Sequence, residues 1–240
     1  MPAVLVHGVP DTPQLWGRVR DRLERTDILT PQLPGFGCPV PTGFDCTKEA
    51  YADWLTRVIE SIGEPVDLVG HDWGSLLVQR VATTRPDLIR TWACGGGAVD
   101  ETYVWHDVAQ MWQTPDVGEQ VMEAMTPEAI VPVLAAAGVP EEDAKAASET
   151  IDDTMKRAIL ALYRSAVSVG EEWGPALDGN QRPALVLWGA GDPYAGPEFG
   201  RRLAERIGGE LVVLDDCGHW WPAQRPAEVA DALSRLWARG

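Results

Sequence analysis

Residues 66–75 read Val66-Asp67-Leu68-Val69-Gly70-His71-Asp72-Trp73-Gly74-Ser75, and this stretch decides the fold of the chain. An apolar run enters a sharp turn with glycine two residues before and two residues after a central aspartate, and helical periodicity follows. Small residues suit such a turn because its backbone approaches a neighbouring strand and helix while the central side chain is lifted outward. The stretch also fits an ordinary turn whose aspartate caps a helix. The rest of the sequence favours a functional Asp72.

Two later segments supply partners for this carboxylate. Asp192 ends the segment Leu187–Asp192, directly after one apolar run, and His219 follows the next such run. Because the carboxyl ends of parallel strands meet at one edge of a sheet, His219 is expected to lie near both Asp72 and Asp192. With Asp72 as nucleophile, Asp192 as acid and His219 as base, the order along the chain is nucleophile, acid and base.

A further motif, His7-Gly8-Val9-Pro10, directly follows the first apolar run. In a fold of this kind, a backbone N–H at that place can point towards the nucleophile and form half of an oxyanion hole. We expect the Val9 N–H to fill this role, together with the N–H of Trp73.

Short β-rich runs alternate with helical periodicity, which predicts a parallel sheet with helices on both faces. The strand signals vanish between residues 98 and 181, where several helical stretches follow one another. We therefore predict a core of residues 1–97 and 182–240 and a helical cap of residues 98–181. The predicted strands are Ala3–Val6, Asp27–Thr30, Val66–Val69, Thr91–Cys94, Ala184–Trp188 and Glu210–Leu214.

The composition narrows the classes of partner. The 36 acidic residues outnumber the 20 basic ones and give a formal net charge of -16, which disfavours nucleic acid and anionic membranes. The four cysteines show no zinc-site spacing. The segment Met1–Pro10 lacks the basic region and long apolar stretch of a signal peptide, and no uninterrupted apolar run reaches about 18 residues. We expect a cytoplasmic protein that needs neither a metal ion nor an organic cofactor.

The motifs together resemble the α/β-hydrolases with an aspartate nucleophile, which include epoxide hydrolases and haloalkane dehalogenases. The resemblance rests on five segments in the family's order: His7–Pro10, Leu33–Gly37, Gly70–Gly74, Gly191-Asp192 and Gly218-His219. It implies an α/β-hydrolase fold, with Asp72 as nucleophile, His219 as base and Asp192 as the acid that orients it. Family members usually have strands before the His-Gly-x-Pro motif, whereas here the motif begins at residue 7, so we expect the leading strand hairpin to be missing and the sheet to have about six strands. The missing strands would leave a sheet edge that a second subunit could cover, as in a homodimer.

An aspartate nucleophile suits displacement at a saturated carbon, because the resulting alkyl ester can be hydrolysed by an activated water. Epoxide hydrolases add two cap tyrosines, and Tyr163 resembles the second of these, while Tyr103 resembles the first. The resemblance thus implies hydrolysis of a small, largely apolar epoxide to a vicinal diol. Trp73 and Trp105 are the candidate substrate-binding residues.

Two other functions stay open, besides another reaction on the same apparatus such as fluoroacetate or acyl-ester hydrolysis. A haloalkane dehalogenase would use the same triad, with the Trp73 indole N–H on the halide and Trp105, Trp112 or Trp173 as a second donor. Against it, this chain has Val9 where that class typically has Asn or Glu. The second alternative is a receptor for a small ligand, built on a hydrolase fold, although the complete triad argues against it. His106 lies in the predicted cap with no evident partner.

Overall fold

A single parallel sheet lies at the centre of the protein. The computed structural model describes residues 1–239, and within them the sheet has six strands in the order β2-β1-β3-β4-β5-β6. The strands are β1 (Ala3–Val6), β2 (Ile28–Leu29), β3 (Val66–His71), β4 (Ile89–Gly95), β5 (Ala184–Gly189) and β6 (Glu210–Leu214). The predicted α/β-hydrolase fold with a six-stranded, mostly parallel sheet is confirmed.

The central strands are buried along their whole length because helices cover both faces of the sheet. Every residue of β1, β3 and β5 is buried. In β1, Val4 and Val6 belong to one hydrophobic cluster, whereas Ala3 and Leu5 belong to a second cluster. This alternation follows from the two-residue period of a strand, which sends successive side chains to opposite faces.

Twelve α-helices and three 3₁₀-helices accompany the sheet within the described chain. The α-helices are α1 (Gly17–Arg20), α2 (Lys48–Glu60), α3 (Trp73–Thr84), α4 (Asp107–Gln113), α5 (Val117–Ala124), α6 (Pro127–Ala136), α7 (Glu141–Ser148), α8 (Asp153–Arg164), α9 (Val169–Trp173), α10 (Pro197–Ile207), α11 (Trp221–Gln224) and α12 (Pro226–Trp237). The 3₁₀-helices are Pro13–Trp16, Pro86–Leu88 and Gly174–Gly179. No helix among residues 1–239 is long and apolar enough to cross a membrane.

Several element boundaries differ from the predicted ones. The edge strand β2 has two residues instead of four, and its Leu29 is 45% exposed, so one side of its apolar pattern has nothing to pack against. β3 runs on through His71 and therefore delivers Asp72 directly at its carboxyl end. β4 is longer at both ends than the predicted Thr91–Cys94.

Between β4 and β5 the structure contains helices α4 to α9 and the 3₁₀-helix Gly174–Gly179, with no strand in this described segment. The segment from Ile151 to Val169, one of the helical stretches of the insertion, is divided into α8 and α9. At the break, the Ser165 hydroxyl donates to the carbonyl of Leu162 and accepts the Lys48 backbone N–H at 2.8 Å, which ties the end of α8 to the start of α2. The exact limits of the insertion stay a prediction.

Candidate active site

A strained elbow between β3 and α3 presents Asp72. The backbone φ of Asp72 is 53°, a value that residues other than glycine rarely adopt. Neighbouring backbone also leaves no room for larger residues at the two glycines that flank Asp72. A Cβ on Gly70 would lie 2.2 Å from the carbonyl oxygen of Gly74, and a Cβ on Gly74 would lie 2.2 Å from the carbonyl oxygen of Val6. The two glycines that flank the aspartate are therefore required by close packing against α3 and β1.

The Asp72 carboxylate is held from two sides. The Val9 backbone N–H donates to its Oδ1 at 2.6 Å, and His219 Nε2 lies 3.6 Å from its Oδ2. A Cβ on Gly8 would come within 2.2 Å of Oδ1, so glycine lets the loop after β1 approach. Burial acts to raise the pKa of Asp72, but His219 and the Val9 N–H outweigh it, and the net pKa is lowered. Asp72 is therefore an ionised carboxylate at neutral pH.

His219 connects the two carboxylates. Its Nδ1 lies 2.8 Å from Asp192 Oδ2, while the other oxygen of Asp192 accepts the backbone N–H groups of Tyr194 at 2.9 Å and Ala195 at 3.2 Å. Burial acts to lower the pKa of His219, but Asp192 and Asp72 together raise it above its usual value. The structure thus brings the three predicted residues together, with His219 between Asp72 and Asp192.

A cavity of about 320 Å³ opens above Asp72, within the size range of small-molecule sites. The core contributes Asp72, Val9 and His219 to its wall, together with Pro10, Tyr194 and Trp220. Most of the remaining wall comes from apolar side chains of the insertion: Val108, Trp112, Val121, Ala124, Met125, Ala129, Ile130, Val133 and Leu134. The site therefore suits a small molecule with a largely apolar body.

Tyr163 reaches this cavity from α8. The residue is 2% exposed, and its ring packs edge-on against Trp112, Trp73 and Trp105 with centroid distances of 4.8, 5.4 and 5.2 Å. Burial, and then the negative charge of Asp72, raises the pKa of the Tyr163 hydroxyl well above its ordinary value. The hydroxyl therefore keeps its proton at neutral pH and lies on the insertion side of the cavity that contains Asp72.

Tyr103 and Trp105 occupy different positions from those that the sequence suggested. The Tyr103 hydroxyl donates to the Tyr194 carbonyl at 3.1 Å, and the Trp105 indole N–H donates to the Ala166 carbonyl at 3.1 Å. Both residues line a small recess of about 20 Å³ beside Asp72 and are not in the wall of the main cavity. Helical periodicity cannot predict which neighbouring carbonyl captures such a donor.

Trp73 lies beneath these aromatic residues. Its ring is 1% exposed and stacks on Trp105 at a centroid distance of 5.8 Å, and it borders the small recess with Asp72. Its backbone N–H belongs to the first residue of α3, directly after the elbow. The assignment of this N–H as the second oxyanion donor stays a prediction.

Sequence reasoning assigned no role to three residues at or near the site. Tyr194 lines the cavity with its ring centroid 4.9 Å from that of His219, and His106 lines it from the insertion. Asp11 is buried, and its Oδ2 accepts the Trp220 indole N–H at 3.1 Å. The only available signal was proximity along the chain, because Tyr194 follows Asp192 by two positions and Asp11 directly follows the His-Gly-x-Pro motif.

Comparisons with known proteins agree with this architecture. The chain is 25% identical to an (E)-2-((N-methylformamido)methylene)succinate hydrolase of Acinetobacter baylyi, over 97% of this chain and 88% of that protein. It is 24% identical to a haloalkane dehalogenase of Mycolicibacterium paratuberculosis, over 97% of this chain and 82% of that protein.

Solved structures show the same fold. A haloalkane dehalogenase from Bradyrhizobium elkani superposes with a TM-score of 0.79 at 22% identity, covering 100% of this chain and 92% of that one. A thermophilic esterase from Thermogutta terrifontis superposes with a TM-score of 0.80 at 24% identity, covering 100% and 89%. The sequence also matches the alpha/beta hydrolase family over residues 3–232, nearly its whole length. This protein therefore belongs to the alpha/beta hydrolase family and is a hydrolase of that fold.

Proposed function

We propose that this hydrolase opens small, largely apolar epoxides through an alkyl ester on Asp72. The observation that carries the proposal is the presence of two complementary groups in one apolar cavity of about 320 Å³. The core provides an ionised carboxylate, Asp72, and the insertion provides a protonated hydroxyl, Tyr163. Epoxide opening needs both, because the carbon must be attacked while the departing oxygen receives a proton.

In the first step, an Asp72 oxygen attacks the less hindered epoxide carbon and the C–O bond of the ring breaks. The bonding pair of that C–O bond goes to the epoxide oxygen, which takes the Tyr163 proton as negative charge develops on it. The product of the step is a hydroxyalkyl ester of Asp72. Its alcohol oxygen comes from the epoxide.

In the second step, His219 activates a water molecule. Formation of the ester removes the charge of Asp72, which is one of the two carboxylates that raise the pKa of His219. The ring therefore gives up its proton, which returns to the Tyr163 oxygen, and can then accept one from water, while the bond to Asp192 keeps its Nε2 directed towards the ester. The hydroxide attacks the ester carbonyl, the Val9 N–H stabilises the oxyanion, and the diol leaves as the carboxylate re-forms.

Haloalkane dehalogenation is the second candidate, and one specific observation favours it. The indole N–H groups of Trp73 and Trp112 are buried without a hydrogen-bond partner within the described chain. Such groups carry an energetic cost that a bound acceptor would relieve, and a halide ion is an acceptor for two N–H donors. The same Asp72 and His219 would then displace halide and hydrolyse the ester.

The experiment supplies purified protein with epoxides and haloalkanes and measures diol and halide in parallel. Asp72→Asn is expected to abolish both products. His219→Gln is expected to stop after one turnover, so that intact-protein mass increases by the mass of the whole epoxide. Tyr163→Phe is expected to slow diol formation by roughly 10²-fold or more.

Tyr103→Phe is the matched control, because the hydroxyl of Tyr103 already donates to a backbone carbonyl. It is expected to keep diol formation within about threefold of the unmodified protein. Release of halide that is insensitive to Tyr163→Phe, with no diol from any epoxide, would replace the proposal with dehalogenation. Tight binding of such ligands with no product of either kind would favour the small-ligand receptor.

A further inference from the structure

His106 stands at the start of α4 and faces the cavity that contains Asp72. As the N-cap residue, it has an extended backbone with φ -61° and ψ 158°, and its Nδ1 accepts the Ala109 backbone N–H at 3.3 Å. Its side chain lines both the main cavity and the small recess beside Asp72. His106 is therefore fixed at one nitrogen and open to the active site elsewhere.

The capping bond determines which ring nitrogen carries the proton. A nitrogen that accepts a hydrogen bond has no hydrogen of its own, so neutral His106 must carry its proton on Nε2. Burial is the largest effect on this residue and lowers the pKa of His106, so the ring is neutral at pH 7. The ring thus has one N–H donor, and that donor is not used in the helix cap.

The His106 ring lies in the wall of the cavity that also contains Tyr194 and His219. His106 packs against Tyr194 with a centroid distance of 4.9 Å, and Tyr194 lies 4.9 Å from His219. Tyr103, which the sequence suggested as a cap donor together with Tyr163, directs its hydroxyl to the Tyr194 carbonyl. The insertion therefore presents the His106 imidazole, and not the Tyr103 hydroxyl, to the main cavity.

We propose that His106 is a catalytic residue that donates a hydrogen bond from Nε2 to the epoxide oxygen, beside Tyr163, during ring opening. The inference rests on the proposed epoxide hydrolysis. The imidazole N–H stabilises the developing oxyanion while the proton itself comes from Tyr163. Helix capping therefore serves catalysis, because it holds the ring in its donor tautomer.

One test is independent of turnover. The long-range ¹H–¹⁵N correlation spectrum of the full-length protein at pH 7 should show His106 as the Nε2-protonated tautomer, assigned by its loss in His106→Ser. An Nδ1-protonated tautomer would overturn the inference whatever the enzyme's substrate.

The second test measures ester formation and ester hydrolysis separately, by rapid quench and intact-protein mass. His106→Ser keeps a hydroxyl that can cap α4 but removes the ring from the cavity. It is expected to slow ester formation by roughly 10- to 100-fold and to change ester hydrolysis by less than about threefold. His106→Phe, which keeps the ring volume, should show the same split if His106→Ser does not fold.

The outcomes distinguish the two proposals. If the unmodified protein makes diol through Asp72 and both His106 variants form the ester at the unmodified rate, the role of His106 is wrong and epoxide hydrolysis stands. If the unmodified protein opens no epoxide while His106 shows the expected tautomer, epoxide hydrolysis falls and the catalytic role falls with it.

Discussion

Asp11 is a buried carboxylate close to Asp72 and His219, and the proposed reaction does not use it. Burial, and after it the charge of Asp72, raises the pKa of Asp11 to about 7. An aspartate in an unfolded chain titrates near pH 4, so between about pH 4 and 7 the folded protein holds a proton that the unfolded chain has released. Because the folded state binds more protons in this window, its stability falls as pH rises from about 4 to 7.

Asp11→Asn is expected to remove that loss, since an amide keeps an acceptor for the Trp220 indole without the charge. The difference in the free energy of unfolding between the variant and the unmodified protein should be roughly 1–3 kcal/mol more favourable to the variant at pH 8 than at pH 5. Urea unfolding at the two pH values measures it. Asp21→Asn, at an exposed aspartate, is the control and should show no such difference. An equal effect of Asp11→Asn at both pH values would contradict the prediction.

The helix α8 carries Tyr163, and its amphipathic pattern explains its position. Met155, Ile159 and Leu162 are buried with Tyr163 on one side of the helix. The periodicity of three and four residues that sends these side chains inward is visible in the sequence. The direction in which the tyrosine hydroxyl points follows only from packing against the three tryptophans of the site.

The N-terminus of α8 is capped by Asp152, whose Oδ1 accepts the Met155 backbone N–H at 2.8 Å. Asp152→Ala should lower the free energy of unfolding by about 1 kcal/mol, because it leaves that N–H without its partner. Asp153→Ala is the matched control: it removes an acidic side chain from the same turn without breaking the cap and should cost about 0.3 kcal/mol. Urea denaturation measures both, and equal losses would show that charge rather than capping matters.

At the scale of the whole molecule, the excess of 16 negative charges is the dominant electrostatic feature. Like charges on a compact surface repel one another, and the repulsion relaxes when the chain unfolds. Salt shortens the range of this repulsion, from about 30 Å at 0.01 M to about 8 Å at 0.15 M. It also weakens surface ion pairs, which contribute little individually.

We therefore expect Tm to rise by roughly 2–4 °C when NaCl is increased from 0.01 to 0.15 M at pH 7.5. Differential scanning calorimetry at fixed buffer concentration measures the change. Repetition at pH 5, closer to the isoelectric point of about 4.6, should give a smaller shift because less charge is left to screen. A fall in Tm with salt at pH 7.5 would mean that attractive ion pairs outweigh the repulsion.

The sequence by itself determined the elements and the elbow. Ala3–Val6 and Glu210–Leu214 are strands with the predicted bounds. The helices Pro197–Ile207 and Pro226–Trp237 both begin at a proline of the sequence. These features follow from local rules: apolar runs between turn residues, helical periods, and proline at the first helical turn. The glycines around Asp72 likewise reveal a crowded turn, since only glycine fits there.

The tertiary structure alone decided which insertion side chains line the cavity above Asp72. Tyr163 faces the cavity, whereas the Tyr103 hydroxyl is captured by a backbone carbonyl on a distant loop, and His106 lines the cavity wall instead. A sequence period specifies which face of a helix is apolar but not which helix, loop or carbonyl meets that face. That choice depends on packing between residues far apart in the chain, and here it determines which donors the site offers to a leaving group.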